Sequence, residues 1–233
     1  MSQVIRLQGI PASPGIAIAP ARAIHKAQVL IPKIMIDPAN VDNELKRLDS
    51  AVEGARTQIQ AAIDSVAVSE VTSHQGSHTM ILQAHMLMLD DILLIDATRQ
   101  LIEKRRINVE WALSIVSNDI KDQMSNLEDP YLRERAEDIE HVSSNIMRNL
   151  LGHDDDYFSD LKSTGNCIIV AKDLSPAETA QLAPTPIMAF VTEMGTRTSH
   201  TAIMAQALGI PAVLGVDNIP NIVGPDALLI VDE

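Results

Sequence analysis

Apolar positions change their spacing twice along the chain. Through residues 4–36, short apolar runs (Val4-Ile5-Arg6-Leu7, then Ile16-Ala17-Ile18-Ala19) are interrupted around Ala12-Ser13-Pro14-Gly15, which predicts strands joined by a turn. From residue 37 to 151 the spacing becomes three and four. Val41, Leu45, Leu48, Val52, Ala55, Ile59, Ile63 and Val66 fall on one face of a long helix. Asp37-Pro38 supplies a cap followed by proline in the first turn, where a missing N–H goes unnoticed. The arrangement recurs at Asp129-Pro130, opening a helix that carries Leu132, Ala136, Ile139, Val142, Ile146 and Leu150 and stops at Gly152. Between them lie a Met- and Leu-rich stretch, 79–105, and a helix from Asn108 to about Leu127. Residues 37–151 thus read as a four-helix bundle-like unit with room for one broken helix.

After Gly152 the run His153-Asp154-Asp155-Asp156 marks a loop. Four apolar runs of strand length follow, at 167–171, 187–192, 212–216 and 227–231, with helical stretches between them. The N-terminal strands are too few to bury a face alone and are expected to join this sheet. The fold class is therefore α+β. An α/β subdomain is built from 1–36 and 152–233, and the helical bundle of 37–151 is inserted in it.

Composition narrows the function classes. Apolar residues make up 46% of 233, which excludes a disordered chain. No apolar run approaches the roughly 20 residues of a membrane span, and the N-terminus lacks a signal-peptide pattern, so a cytoplasmic protein away from the membrane is expected. Cys167 is the only cysteine, leaving no internal disulfide and no cysteine cluster for a metal. The net charge is −13: four basic and no acidic residues occur in 1–36, 11 basic against 20 acidic in 37–150, and three against 11 beyond. Such a chain repels phosphate backbones, so no nucleic-acid partner is expected and a basic protein fits better. Five aromatic residues leave little for base or sugar stacking.

The chemistry concentrates in Gly195-Thr196-Arg197-Thr198-Ser199-His200-Thr201 and the apolar stretch that follows to Gly209-Ile210-Pro211. A strand feeds a glycine turn, Thr198 or Ser199 can cap, and a helix closes at Gly209. His200 then sits in a first helical turn, where free N–H groups and the helix dipole favour an anion and Arg197 adds a planar donor fork. A neutral imidazole there can attack phosphorus and keep the phosphate on the same donors. On residue types alone, a histidine that merely satisfies a helix start is the commoner case.

This signature, with Ile203-Met204-Ala205 and Gly209-Ile210-Pro211-Ala212, resembles the active-site histidine motif of the phosphoenolpyruvate-utilising swivelling domain, shared by phosphoenolpyruvate synthase and pyruvate phosphate dikinase. Further segments narrow the match: Ala12-Ser13-Pro14-Gly15-Ile16-Ala17, Ala84-His85 through Leu89-Asp90-Asp91, Tyr131-Leu132-Arg133-Glu134-Arg135-Ala136-Glu137-Asp138-Ile139, Asn149-Leu150-Leu151-Gly152, and Asp173-Leu174-Ser175-Pro176-Ala177-Glu178-Thr179-Ala180-Gln181-Leu182. Together they resemble, in order and spacing, the N-terminal half of the Enzyme I family of the sugar phosphotransferase system.

The resemblance implies phosphoryl transfer through Nε2 of His200 to a histidine of the histidine-containing phosphocarrier protein. Arg197 would screen the phosphoryl charge, and Thr179 would hydrogen-bond the resting imidazole, an ordinary helix threonine being the other reading. The helical subdomain would dock the carrier, with His85, Leu87, Met88, Leu94, Met124 and Arg135 as the contacting residues. No cofactor is implied for this chain; magnesium belongs with the phosphoenolpyruvate-binding C-terminal domain, a second implied partner. Isolated transfer between carrier and His200 is therefore expected, without labelling by phosphoenolpyruvate itself. Equivalent domains occur in multiphosphoryl transfer proteins and dihydroxyacetone kinase phosphotransfer subunits, and a docking module with weakened transfer is a further alternative.

Two departures stand out. The family usually has a second glycine where this chain has Thr196, a strained choice if that position needs φ > 0. Gly76, Ser77, Ile92 and Leu93 occupy positions usually acidic, so the docking face is expected to be more apolar. His74, His78 and His85 have helical spacing but lack a carboxylate or cysteine to complete a metal set, and no metal site is assigned. Asp154 to Asp156 read as a solvated loop, and Met80, Met86, Met88, Met124 and Met147 mainly as core. Arg135 can pair with the carrier or with an acidic residue of its own helix.

Overall fold

The computed structural model describes residues 4–24, 30–70, 77–126, 130–152, 165–182, 185–197, 199–224 and 227–233. His74, Gly76, Leu127, Asp129, Thr198 and the 153–156 acidic run lie outside them, as do the side chains of Ser77, His78 and Leu132. The chain divides into two compact units: Met1–Ala27 with Ala62–Leu82 and Asp156–Glu233, and Gln28–Ala61 with Gln83–Asp155. These bounds differ from the expected 37–151 insertion: the second unit also takes in 28–36 and 152–155, while 62–82 group with the first.

The first unit is organised by a six-stranded sheet: β1 (Ile10–Ser13), β2 (Ile16–Ile24), β3 (Cys167–Ala171), β4 (Ile187–Thr192), β5 (Ala212–Leu214) and β6 (Leu228–Asp232), in the order β1-β5-β4-β3-β2-β6. The N-terminal strands do join it. β2 to β5 run parallel, while β1 and β6 close the two edges antiparallel. Pro11 lies in edge strand β1, where its missing N–H is tolerated. The expected strand at 4–7 is absent: Val4 is 94% exposed, and the pairing with β5 begins only at Ile10. A short apolar run alone cannot make a strand that has no neighbour to bond.

β3 is buried throughout, which explains its unbroken apolar sequence. Its alternation divides the core. Cys167, Ile169 and Ala171 join Leu174, Leu182, Phe190, Ala202 and Ala205, so helices α6 (Pro176–Leu182) and α7 (His200–Leu208) contribute to one face. Ile168 and Val170 join Ala189, Val191, Ile219 and Val231 on the other. Burial pushes the Cys167 thiol pKa up against a weaker downward pull from Arg22, as expected of a core residue.

In the helical part, Asp37 caps a short 3₁₀ turn by accepting from Ala39 N (2.9 Å), and α1 (Val41–Glu70) follows. Leu48, Val52, Ala55 and Ile59 are its buried stripe. The Met- and Leu-rich stretch does break: α2 (Ser77–Met88) ends, Asp91 Oδ1 accepts from Leu93 N (2.8 Å), and a π-helical turn, Ile92–Asp96, leads into α3 (Ala97–Arg105). Next come α4 (Val109–Ser125) and α5 (Pro130–Leu151), which buries Ala136, Ile139, Val142 and Ile146.

A buried polar set holds the start of α4. Asn108 accepts from Ile34 N (3.0 Å) and donates to Pro32 O (2.9 Å) and Glu110 Oε2 (2.6 Å), while Glu44 of α1 accepts from Val109 N (2.8 Å). Arg47 bridges Glu44 (2.9 Å) and Glu110. Burial works against its charge, but the two carboxylates outweigh it and raise its pKa. Among the described residues no helix is long and apolar enough to cross a membrane.

Candidate functional site

β4 ends at Thr192, whose hydroxyl donates to Met194 O (2.5 Å) as the chain turns away from the sheet. Gly195 takes φ 111°, open to glycine and strained for other residues, and an added Cβ would lie 3.1 Å from Leu214 Cδ1. Thr196 has no positive φ, so the condition for strain there is not met; Gly195 carries the whole left-handed demand. The N–H and hydroxyl of Ser199 both donate to Thr196 O (3.1 and 2.9 Å), closing the turn.

Ser199 is the N-cap of α7 and His200 the first helical residue, with Gly209 at φ 63° closing the nine-residue helix. The Ser199 hydroxyl is spent on Thr196 and makes no cap hydrogen bond to the first-turn N–H groups. An uncapped helix start with a positive dipole end is a favourable place for an anion. Arg197 lies exposed on the turn just ahead of it.

The half-buried His200 ring places Nε2 2.6 Å from the backbone oxygen of Leu174. A carbonyl only accepts, so Nε2 carries a proton in this arrangement. The buried Thr201 hydroxyl donates to that same oxygen (3.1 Å). Leu174 is aimed by the segment that opens α6: Ser175 N donates to Glu178 Oε2 (2.7 Å), and Glu178 N donates to Ser175 Oγ (3.3 Å), a reciprocal capping box with Pro176 at the first helical position.

Thr179 differs from the role the resemblance implied. It is fully buried and its hydroxyl donates to Ser175 O (3.0 Å), four residues back on its own helix, while the imidazole Nε2 meets Leu174. Back-bonding to the preceding turn is the usual recourse of a helical threonine. The residues missed at the level of sequence are Thr201 and the Leu174 carbonyl. The Ser175-x-x-Glu178 pattern was a legible signal for the cap that positions them.

The candidate docking residues fall into two groups. His85, Met88 and Leu94 are buried, with His85 Nε2 3.1 Å from Asp138 Oδ1 and its ring stacked on His141 at a centroid distance of 6.3 Å. Leu87 is 74% exposed, Met124 half-buried and Arg135 exposed. Ile92 and Leu93, at 70% and 64% exposure, present apolar surface as the departure from acidic residues led one to expect.

Comparison with known proteins gives a consistent picture. Residues 8–135 match the family described as PEP-utilising enzyme, N-terminal, and 164–233 match PEP-utilising enzyme, mobile domain. Phosphoenolpyruvate-protein phosphotransferases of Mycoplasma capricolum and Cupriavidus necator are 36% and 34% identical over 228 and 233 residues, each alignment covering 97% of this chain. The chain spans 38% and 39% of those relatives' lengths. Among solved structures, the NMR solution structure of Enzyme I (nEIt) aligns over 97% of this chain and 89% of its own, at 33% identity and a TM-score of 0.74. A structure described as the N-terminal domain of Enzyme 1 - Nitrogen aligns over 97% and 90%, at 27% identity and a TM-score of 0.62.

Proposed function

From the premise that the chain belongs to the Enzyme I family of phosphoenolpyruvate-utilising enzymes, matching its N-terminal domain, we propose that His200 accepts a phosphoryl group on Nε2 and exchanges it with a histidine of a phosphocarrier protein. The observation that carries this reading is the placement of His200 at the uncapped start of a nine-residue helix, beside exposed Arg197. Phosphoryl transfer asks the protein for position and charge more than covalent help. The first-turn N–H groups and the guanidinium supply both for the incoming oxygens.

Attack from Nε2 requires the ring to leave Leu174 and to hold its proton on Nδ1. The Nε2 lone pair then forms the P–N bond as the bond from phosphorus to the donor nitrogen breaks, and the carrier imidazole recovers its lone pair. Leu87, Ile92 and Leu93 offer the carrier an apolar contact, whereas His85, Met88 and Leu94 are buried. The original donor would be phosphoenolpyruvate, handled by the portion of such enzymes outside this chain. The relatives' names do not favour the equivalent domain of a multiphosphoryl transfer protein or a dihydroxyacetone kinase subunit.

Incubation with phosphorylated histidine phosphocarrier protein, followed by mapping of acid-labile phosphate, tests this. His200 should carry the label, and His200→Ala should take up none while unfolding at the same urea concentration. Label retained on another histidine in that variant would overturn the assignment.

A further inference from the structure

We propose that Thr201 is a positioning residue that governs release of the His200 imidazole, an inference that rests on His200 being the phosphoryl acceptor. Two side chains from the first turn of α7 converge on one backbone oxygen, that of Leu174: His200 Nε2 at 2.6 Å and the Thr201 hydroxyl at 3.1 Å. Both Leu174 and Thr201 are buried to within 1%. The Thr201 hydroxyl bonds across 27 residues instead of bonding within its own helix.

The pairing matters because of what Nε2 must do. While it donates to Leu174 its lone pair is committed to a proton, so the imidazole is protected and unreactive at that atom. For transfer the ring must leave, its Nε2 proton passing to solvent as Nδ1 takes one up, and Nε2 must then receive phosphorus from the carrier's phosphohistidine as that P–N bond breaks. A buried carbonyl stripped of its donor resists such a departure. Thr201 removes the resistance: its hydroxyl stays on Leu174 O when the imidazole goes, and the oxygen is never orphaned. The hydroxyl thus sets the balance between a parked and a reactive imidazole without touching phosphate.

The test uses the full chain as Thr201→Val, which keeps the branched shape and loses the hydroxyl, and Thr201→Ser, which keeps the hydroxyl. Two quantities are read: solvent exchange of the His200 Nε2 proton by nitrogen-edited NMR, and the rate of label uptake from phosphorylated phosphocarrier protein. In Thr201→Val both should slow by about tenfold, the size of one unsatisfied buried acceptor, and Thr201→Ser should restore both to within about twofold. A merely structural role predicts the reverse sign, since loosened packing frees the ring and speeds exchange. Faster or unchanged exchange in Thr201→Val, or equal losses in both variants, would overturn the proposal. The two readings fail separately: a wild-type chain that takes no label, with exchange still slowed in Thr201→Val, refutes the acceptor assignment and upholds the placement of Thr201. Labelled wild type with unslowed exchange does the opposite.

Discussion

Ile92→Asp separates two ways in which the helical part could hold the proposed phosphocarrier. The wild-type side chains of Leu87, Ile92 and Leu93 are 74%, 70% and 64% exposed. Full burial of a Leu or Ile side chain contributes about 1.5–3 kcal/mol, so covering the exposed part of each returns roughly 1–2 kcal/mol before ordering costs. Aspartate at 92 forfeits that amount and also asks a carboxylate to leave water in an apolar setting. The expected loss is about 2 kcal/mol or more, roughly thirtyfold in Kd. If affinity came instead from acidic residues facing a basic carrier, a new aspartate would strengthen it, so the two arrangements predict opposite signs. Titration calorimetry of the full chain with the histidine phosphocarrier protein measures this directly. Repeating it from low salt to about 0.15 M, where the Debye length is about 8 Å, should change wild-type Kd by less than about threefold. Equal or tighter binding by Ile92→Asp, or a salt loss above tenfold in the wild type, would refute the reasoning.

Arg47→Met should destabilise the helical part by about 3 kcal/mol in urea unfolding, because it strands the buried carboxylates of Glu44 and Glu110; the value lies at the low end for a broken buried pair because the Arg47 side chain is 37% exposed. Adding Glu110→Gln should recover at least about 1 kcal/mol, and a single-variant cost under about 0.5 kcal/mol would show that solvent already screens the set. Gly195→Ala should slow phosphate uptake and cost about 1–3 kcal/mol, since φ 111° and the approach to Leu214 both oppose a Cβ. Carrier Kd should stay within about twofold in that variant, and an unchanged uptake rate would show that the turn tolerates the change.

How much of this was legible follows from where each constraint is stored. The spans 167–171 and 187–192 match β3 and β4 residue for residue, because strands buried on both faces write themselves as unbroken apolar runs. Val4 to Leu7 looked equally apolar, yet pairing depends on a neighbour that no local window contains. Glu44, Asn108 and Glu110 are polar residues that no local pattern marks for burial, yet they are buried, since their partners come from three separated segments around 32–34, 44–47 and 108–110. His85 is different: Leu82, His85 and Leu89 fall three and four apart and are all buried, so the helical spacing already carried its inward direction. The position of His200 at a helix start, with Arg197 on the turn before it, was readable because the turn and N-cap residue that place them are local. The Leu174 oxygen has no letter of its own, and Thr201 acquires its role only through a carbonyl 27 residues away.

The Thr196 position shows how a departure from a family pattern can be neutral or better for the site. A second glycine at 196 would be necessary only if the turn demanded left-handed backbone at two successive residues, and here Gly195 alone provides it. Thr196 instead contributes its carbonyl, which accepts twice from Ser199 and so fixes the residue that begins α7. Where the native conformation is one that any residue can adopt, a residue with a Cβ loses less backbone entropy on folding than glycine, an advantage of about 0.4–1 kcal/mol. Threonine therefore stiffens the turn without straining it. Since Arg197 is the next residue and His200 follows Ser199, the stiffness is delivered to the guanidinium and to the helix start together, the two groups that the proposed phosphoryl transfer needs in place beforehand.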